Sequence, residues 1–278
     1  MRKLIDIAKW SVTLGRGPQT FLGATWIRTV LKLAPESKKR IWALRMLSLS
    51  PHYFIDPENP SYAGMSNDEY LEAVCRDLTV SREKIFEYIL KERLAPDDVV
   101  LDYGCGPGFL AATVSKHVRK IYACDISTGA LDCARIINNS TNLEYLTADD
   151  KGLKVIPDKK IDVVFSFAMV QHISDEVFDL VLKYMRQKLK PGGRLVLHIQ
   201  LLDAAWKTER EWKADRSIIG RVKYRVGLHC FARPEQSFRQ ILERNGFAGV
   251  KIQNIADIVP ENFDDICSQS LLTAVKAG

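Results

Sequence analysis

The residues most suited to chemistry lie in a turn in which glycine occupies every second position. Gly104, Gly106 and Gly108 follow a short apolar run that ends at Asp102. Residues without a Cβ let the backbone turn sharply and approach a ligand closely, and a helix that starts there presents unpaired N–H groups. The pattern therefore predicts a small-ligand site at the carboxyl end of a buried strand.

Two phosphate-binding motifs fit this turn poorly. A dinucleotide-binding turn has the pattern G-x-G-x-x-G, whereas these glycines are spaced G-x-G-x-G, which disfavours a nicotinamide-dependent reductase. A nucleotide triphosphate loop needs G-K-[S/T], and Phe109-Leu110 occupy that place. The carboxylate of Asp102 would also repel a phosphate, although it suits a cationic ligand. A ligand without a phosphate therefore fits the turn best.

Two further acids follow the next strands predicted along the chain. Asp125 ends the second strand, where its carboxylate could accept hydrogen bonds from both hydroxyls of a ribose. Asp149 follows the third strand and could accept a hydrogen bond from an adenine amine. Each acid could instead cap a helix. Their order after successive strands favours a ligand that combines ribose, adenine and a positive centre.

Strand and helix patterns alternate from residue 81 to the end of the sequence. Ser81 is predicted to cap a helix that precedes the first strand. Strands are predicted at 98–102, 119–124, 143–147, 161–166 and 194–199, with strand-like runs near 249–255 and 268–276. Helices are predicted at 109–118, 127–138, 175–190 and 234–245, and Pro191-Gly-Gly is interpreted as the terminator of the third. We therefore expect an α/β fold with a mostly parallel sheet, covered on both faces, whose strand ends line one crevice.

Two regions stand outside this alternation. Residues 1–60 are predicted to form a basic helical extension, which leaves 61–278 as the ligand-binding domain. Residues 1–50 hold ten Lys/Arg and two Asp/Glu, a charge of +8, so the formal charge of +6 leaves −2 for the remainder. Residues 200–232 form an insertion at the predicted carboxyl edge of the sheet, where it could act as a lid or as a wall for an acceptor.

The cysteines and the hydropathy pattern suggest where the protein works. Six cysteines form no C-x-x-C pair and no zinc-like spacing, so we expect reduced thiols and no metal site. Reduced thiols, together with a start that does not resemble a secretory signal, favour a cytoplasmic protein. The stretch 21–34 is too short to cross a bilayer and contains Arg28 and Lys32.

Taken together, these motifs resemble those of class I S-adenosylmethionine-dependent methyltransferases. The matching segments are VLDYGCGPG at 100–108, ACDIS at 123–127, TADD at 147–150, IDVVFSFAMVQHI at 161–173, LKPGGRLVL at 189–197 and HCFARPEQSFRQILERNGF at 229–247. The resemblance covers about 80–278. It implies a Rossmann-like, seven-stranded, mostly parallel sheet with helices on both faces and an antiparallel last strand, preceded here by the helical extension.

The resemblance also implies S-adenosylmethionine as the cofactor and a set of residues that bind it. Gly104 and Gly106 would face its methionine part, Asp125 its ribose and Asp149 its adenine amine. Phe167 would lie near the cofactor. The remaining members of the expected cofactor site are Asp102, Cys105, Gly108, Ile126 and Asp150.

The expected reaction is methyl transfer to a small-molecule acceptor, at a hydroxyl oxygen and by in-line displacement. Because the sulfonium methyl is already activated, the enzyme mainly has to hold the acceptor in line and exclude water. A hydroxyl acceptor also benefits from a general base. The candidate bases are His172, after the fourth strand, and His229, at the end of the insertion, whereas His198 could be a packed core residue. Gln171 could orient the acceptor.

Other functions remain open at this point. Strand four ends in Phe165-Ser-Phe-Ala and lacks the Asn/Asp-Pro-Pro-aromatic signature of nucleobase amino methyltransferases. The basic arm could pack over the cofactor cleft, lie on an anionic membrane surface or contact RNA phosphates, in that order of preference. The alternatives are therefore a cofactor-binding protein that docks on a membrane or partner without transferring methyl groups, and an RNA methyltransferase. The sequence leaves the oligomeric state open.

Overall fold

The computed structural model describes residues 21–50, 60–203, 205–225, 229–260 and 269–278. The predictions made for 1–20, for 51–59 and for small parts of the insertion lie outside these ranges. Within them, no helix is both long enough and apolar enough to cross a bilayer.

A seven-stranded sheet forms the centre of the fold. Its strands are β1 (Val99–Tyr103), β2 (Lys120–Asp125), β3 (Leu143–Thr147), β4 (Ile161–Ser166), β5 (Leu189–Ile199), β6 (Phe247–Asn254) and β7 (Ser270–Lys276). They lie in the order β3-β2-β1-β4-β5-β7-β6, and β7 is antiparallel to both of its neighbours. The predicted mostly parallel sheet with an antiparallel last strand is confirmed.

Ten α-helices accompany the sheet in the part of the chain that the structure describes. They are α1 (Phe21–Leu33), α2 (Lys39–Leu47), α3 (Asn67–Ile85), α4 (Phe109–Ser115), α5 (Thr128–Ile137), α6 (Asp150–Val155), α7 (Asp175–Lys188), α8 (Glu209–Ala214), α9 (Ile218–Arg225) and α10 (Glu235–Arg244). Side chains of β4 alternate between two hydrophobic cores, with Val164 in one and Val163 and Phe165 in the other. The sheet is therefore covered on both faces, as its apolar strands predict.

The described part of the basic extension packs onto the domain. Ile27 of α1 and Leu44 and Leu47 of α2 are fully buried, in a cluster that includes Phe109 and Cys133. Several of its cations also pair with acids of the domain: Arg28 with Asp132, Arg40 with Glu72 and Arg45 with Asp68. Helix α1 thus packs against α5, and α2 against α3 and α5. Packing over the cofactor cleft, contact with a membrane and contact with RNA all stay predictions. The division of the chain at residue 60 stays a prediction.

The predicted helix start at Ser81 is wrong. The helix begins fourteen residues earlier, at Asn67, and Ser81 lies inside it. Ser66 and Glu69 form a capping box there, in which each side chain accepts a hydrogen bond from the other residue's backbone N–H. Burial of Tyr70 and Leu71 then holds the added turns against the core.

The predicted boundary at Pro191-Gly-Gly is also wrong. Helix α7 ends at Lys188, and β5 begins directly at Leu189, so the Pro-Gly-Gly segment lies within the strand. Leu189 pairs with Ile161, and a shift in register follows before Arg194 pairs with Val163. This irregularity accommodates residues that could not continue an ordinary ladder.

Candidate functional site

The glycine turn at the end of β1 is held close to its neighbours. The backbone N–H groups of Gly104 and Cys105 both donate to the carbonyl of Cys124, at 2.7 and 3.0 Å. Gly104 and Gly108 have φ angles of +86° and +76°. A Cβ on Gly104 would lie 2.5 Å from Met169 Cγ, and one on Gly108 would lie 2.2 Å from Tyr145 Oη. Both backbone conformation and space therefore require glycine at these two positions.

The carboxylate of Asp125 ties this turn to the end of β2. It accepts hydrogen bonds from the backbone N–H groups of Gly106 at 2.9 Å and Ser127 at 2.7 Å. Burial raises the pKa of Asp125, whereas these two hydrogen bonds lower it. An ionised carboxylate has room for about four donors, so Asp125 retains capacity for the two hydroxyls of a ribose.

A second carboxyl group makes the site electronegative. Asp102 is 2% exposed at the end of β1. Burial raises the pKa of Asp102 well above its usual range, and the charge of Asp125 raises it further, against a smaller opposing effect of Arg82. Burial and the same two acids also raise the pKa values of the Cys105 and Cys124 thiols. The turn therefore favours a cationic ligand over a phosphate.

Asp149 is a helix cap in this structure. Its Oδ1 accepts from the backbone N–H of Gly152 and from Thr147 Oγ1, both at 2.8 Å, and these bonds lower its pKa. Asp150 begins α6 and accepts a hydrogen bond from Tyr184 Oη at 2.9 Å. The adenine role of Asp149 and the cofactor role of Asp150 stay predictions, since the cap leaves only part of the Asp149 carboxylate for a ligand.

Two apolar side chains of the predicted cofactor site differ in exposure. Ile126 is 82% exposed beside Asp125. Phe167 is half-buried and stacks on the buried ring of His198, with centroids 5.8 Å apart and planes within 6°. His198 Nδ1 accepts from the backbone N–H of Ala168 at 3.0 Å. His198 therefore packs as a core residue that carries its proton on Nε2 when neutral.

The two predicted bases lie side by side. His172 Nδ1 is 2.7 Å from the backbone carbonyl oxygen of His229, and the two rings are 6.3 Å apart. Because a carbonyl only accepts hydrogen bonds, Nδ1 of His172 is protonated and, in the neutral ring, Nε2 is the basic nitrogen. A neutral imidazole held in this way is compatible with a general base.

Aromatic rings from the insertion surround His229. The ring of Tyr224 stacks at 4.8 Å, and the rings of Phe231 and Trp212 lie at 4.5 and 6.2 Å. The insertion is also fastened to the segment after β4, because Phe231 N–H donates to the carbonyl of Gln171 at 2.6 Å. The structure thus places the insertion against the carboxyl edge of the sheet, next to both histidines.

Sequence reasoning missed two residues of this edge. Arg233 is 5% exposed, pairs with Asp175 and donates to the carbonyls of Val170 and Ile173. The side-chain oxygen of Gln200 is buried and accepts no hydrogen bond from the described residues, and the same holds for Gln171 Oε1. The burial of an arginine or glutamine cannot be read from its residue type, so the sequence does not indicate that Arg233 and Gln200 belong to this edge.

Comparison with known proteins identifies the domain that this site belongs to. Residues 100–193 match a family model described as a methyltransferase domain. The predicted resemblance to class I S-adenosylmethionine-dependent methyltransferases is confirmed over this part of the chain. The cofactor of this family is S-adenosylmethionine. The electronegative turn, the free capacity of Asp125 and the two close-packed glycines all fit an adenosine ligand with a positive centre.

The relatives of this methyltransferase domain differ in their acceptors. N-demethylindolmycin N-methyltransferase of Streptomyces griseus is 31% identical over 122 residues, which is 42% of this chain and 52% of that protein. Ribosomal protein L11 methyltransferase of Burkholderia mallei is 32% identical over 111 residues, 39% of this chain and 34% of that protein. The chain therefore spans only a third to a half of these curated relatives.

Solved structures show the same fold. Geranyl diphosphate C-methyltransferase from Streptomyces coelicolor aligns with a TM-score of 0.52 at 12% identity, over 81% of this chain and 87% of that one. At this identity the likeness concerns the fold alone.

Proposed function

We propose that the chain transfers the methyl group of S-adenosylmethionine to a hydroxyl oxygen of a small molecule, with His172 as the general base. The observation that carries this proposal is the 2.7 Å contact of His172 Nδ1 with the His229 carbonyl. In the neutral ring this contact makes Nε2 the basic nitrogen, and His172 follows β4 at the carboxyl edge of the sheet, where the candidate cofactor residues also lie. An amine acceptor would have less need of such a group.

In this proposal the cofactor residues act by position and charge. S-adenosylmethionine supplies an electrophilic methyl group. Asp125 would accept from the ribose hydroxyls. A cationic ligand would favour the ionised forms of Asp102 and Asp125, whose pKa values burial raises. Ile126 and Phe167 would hold the adenosine by apolar contact.

The acceptor lies against the insertion. The rings of Trp212, Tyr224 and Phe231 around His229 offer a wall for an aromatic or apolar body. The buried oxygens of Gln171 and Gln200 suit hydroxyl or N–H donors, because a buried amide oxygen without a donor is costly. These features support a small acceptor with one polar end.

The names of the relatives do not select this acceptor. They mention N-demethylindolmycin, a ribosomal protein and geranyl diphosphate, and their methyl groups go to nitrogen or carbon where the name states it. Transfer to oxygen therefore depends on the histidine geometry alone.

The test starts with purified full-length protein, S-adenosylmethionine and a library of hydroxyl-bearing and amine-bearing metabolites. Release of S-adenosylhomocysteine by mass spectrometry identifies the acceptor. The variant His172→Asn then retains a donor toward the His229 carbonyl but has no base. We expect kcat to fall by roughly 10²–10⁴-fold and cofactor affinity to stay within twofold. Wild-type turnover by this variant would remove His172 from the mechanism.

Cofactor binding is tested separately by calorimetry. Asp125→Ala removes both ribose acceptors and should abolish S-adenosylmethionine binding, whereas Asp97→Ala, an exposed acid before the amino end of β1, should leave it unchanged. Circular dichroism of both variants checks that the fold is intact. Equal affinity in the Asp125 variant and the wild type would refute the assignment of the cofactor site.

A further inference from the structure

Helix α9, within the insertion, presents an apolar face to solvent. Ile218 is 74% exposed, Ile219 70% and Val222 55%. Side chains of this kind are usually buried when they come from a helix of a folded domain. Three of them on one short helix form a patch that calls for a binding partner.

The opposite face of α9 contacts other parts of the insertion. A Cβ on Gly220 would lie 2.2 Å from Asp215 Oδ2, and the ring of Tyr224 stacks on His229 at 4.8 Å. Successive residues of a helix are separated by about 100° around its axis. The three exposed residues therefore share an arc of about 100°, and Gly220 and Tyr224 lie on the other side. The contacts of Gly220 and Tyr224 therefore orient the helix so that the apolar arc faces solvent.

Cations stand on both borders of this arc. Arg221 is about 60° from Ile218 on one side, and Lys223 is about 40° beyond Ile219 on the other. The segment 216–225 has four basic residues and no acid. An apolar strip bordered by lysine and arginine is the pattern of helices that lie in the interface of an anionic bilayer.

Helix α7 of the same protein lacks this combination. Val177 and Leu180 of α7 are 42% and 51% exposed, so exposed apolar side chains alone are not unusual here. They stand among Asp175, Glu176 and Asp179, which would repel an anionic surface. Only α9, of these two helices, joins apolar exposure to positive charge.

We propose that α9 docks the protein onto an anionic lipid bilayer. Ile218, Ile219 and Val222 enter the boundary between headgroups and acyl chains, while Arg221 and Lys223 bind lipid phosphates. Pairing with a second copy through this face would bring like charges together, which favours the bilayer. Since Tyr224 contacts His229, the docked helix would lie at the mouth of the candidate site. The proposal goes beyond methyl transfer and does not depend on it.

The test is co-sedimentation of the full chain with vesicles of phosphatidylcholine alone or mixed with phosphatidylglycerol. We expect binding to the mixed vesicles that weakens at high salt. Each cation near the surface contributes about fivefold to affinity, so Arg221→Glu with Lys223→Glu should weaken binding by at least about 25-fold. Ile218→Ser with Ile219→Ser should weaken binding to a similar extent.

Matched variants guard against indirect effects. Val177→Ser with Leu180→Ser removes a comparable exposed apolar surface on α7 and should leave vesicle binding unchanged. Thermal unfolding of every variant checks the fold. Vesicle binding that survives both α9 double variants would come from another part of the chain and overturn the proposal, as would absence of binding by the wild type. The proposal would also be overturned if the wild type did not bind vesicles and light scattering showed a dimer that Ile218→Ser with Ile219→Ser abolishes. That result would assign this face to contact with a second copy of the chain.

Discussion

Replacement of Gly108 by alanine tests why the cofactor turn needs glycine. Two costs are expected. The first is the left-handed backbone at φ +76°, which costs an alanine about 1 kcal/mol. The second is steric, because the new Cβ would lie 2.2 Å from Tyr145 Oη and 2.7 Å from its Cε1. Displacing this ring costs about 1–3 kcal/mol as overpacking.

Movement of the Tyr145 ring has a further consequence. Its hydroxyl donates to the carbonyl of Asn138 at 2.6 Å, and the Asn138 side chain donates to the carbonyl of Pro107 at 2.8 Å. Loss of the first bond adds about 1 kcal/mol. Gly108→Ala should therefore lower the free energy of unfolding by about 3–5 kcal/mol and weaken S-adenosylmethionine binding, because the helix start at Phe109 moves with the turn.

Gly64 offers a matched control. Its φ is +78°, but no atom lies within 4 Å of an added Cβ, so Gly64→Ala isolates the backbone cost of about 1 kcal/mol. Urea denaturation gives the free energies and calorimetry gives the cofactor affinities. Equal destabilisation by Gly64→Ala and Gly108→Ala would refute the steric argument. Tyr145→Phe combined with Gly108→Ala should cost less than the sum of the two single changes, since both disturb the same contact.

Three other changes probe the surroundings of the site. Asp102→Asn should raise the unfolding temperature near pH 7, because an Asp with a raised pKa in the folded state costs stability as pH rises above the ordinary value of 3.8. Differential scanning fluorimetry should show this gain shrink toward pH 4, and a gain that does not vary with pH would contradict this cause. His198→Phe should leave the Ala168 N–H unpaired and raise the KM for S-adenosylmethionine in steady-state kinetics. His198→Asn, which can still accept this hydrogen bond, should keep the wild-type KM. Ala168→Gly added to His198→Phe should lower the KM again, because glycine adopts the φ of +56° at residue 168 without strain. Arg233→Ala should cost about 2–4 kcal/mol in urea denaturation, chiefly through the two carbonyls it leaves unpaired, and an unchanged midpoint would show that water replaces them.

The strand framework was predictable because it depends on local composition. Strand β4 has its predicted bounds, 161–166, since a strand buried on both faces needs mostly apolar residues. Strand β3 also has its predicted bounds, 143–147, although it lies at the edge of the sheet and only Tyr145 of it is buried. Ser127 caps α5 as predicted, through a hydrogen bond from Ala130 N–H. The start of α3 was missed although the sequence carries a signal for it: Ser66 has Glu69 at the spacing of a capping box, whereas Ser81 has Lys84 at that position.

The tertiary contacts of the site were less accessible. The three acids could be ordered by their strands, since carboxyl ends of parallel strands meet at one edge. Ala168, however, has a φ of +56°, and nothing in an alanine predicts that conformation. It is held by His198, thirty residues away on β5, and such a pairing follows only from the strand register.

The segment after β4 joins the two halves of the candidate site. On one side, Met169 packs against Gly104, so its position shapes the cofactor turn. On the other side, His172 and Gln171 are bonded to the insertion through the backbone of His229 and Phe231. Met169, beside the turn, and the candidate base His172, which contacts the insertion, lie three residues apart, so a shift of this segment moves both. This segment therefore couples the position of the candidate cofactor turn to that of the candidate base. In-line methyl transfer requires the cofactor and the acceptor to be held in a fixed relative position.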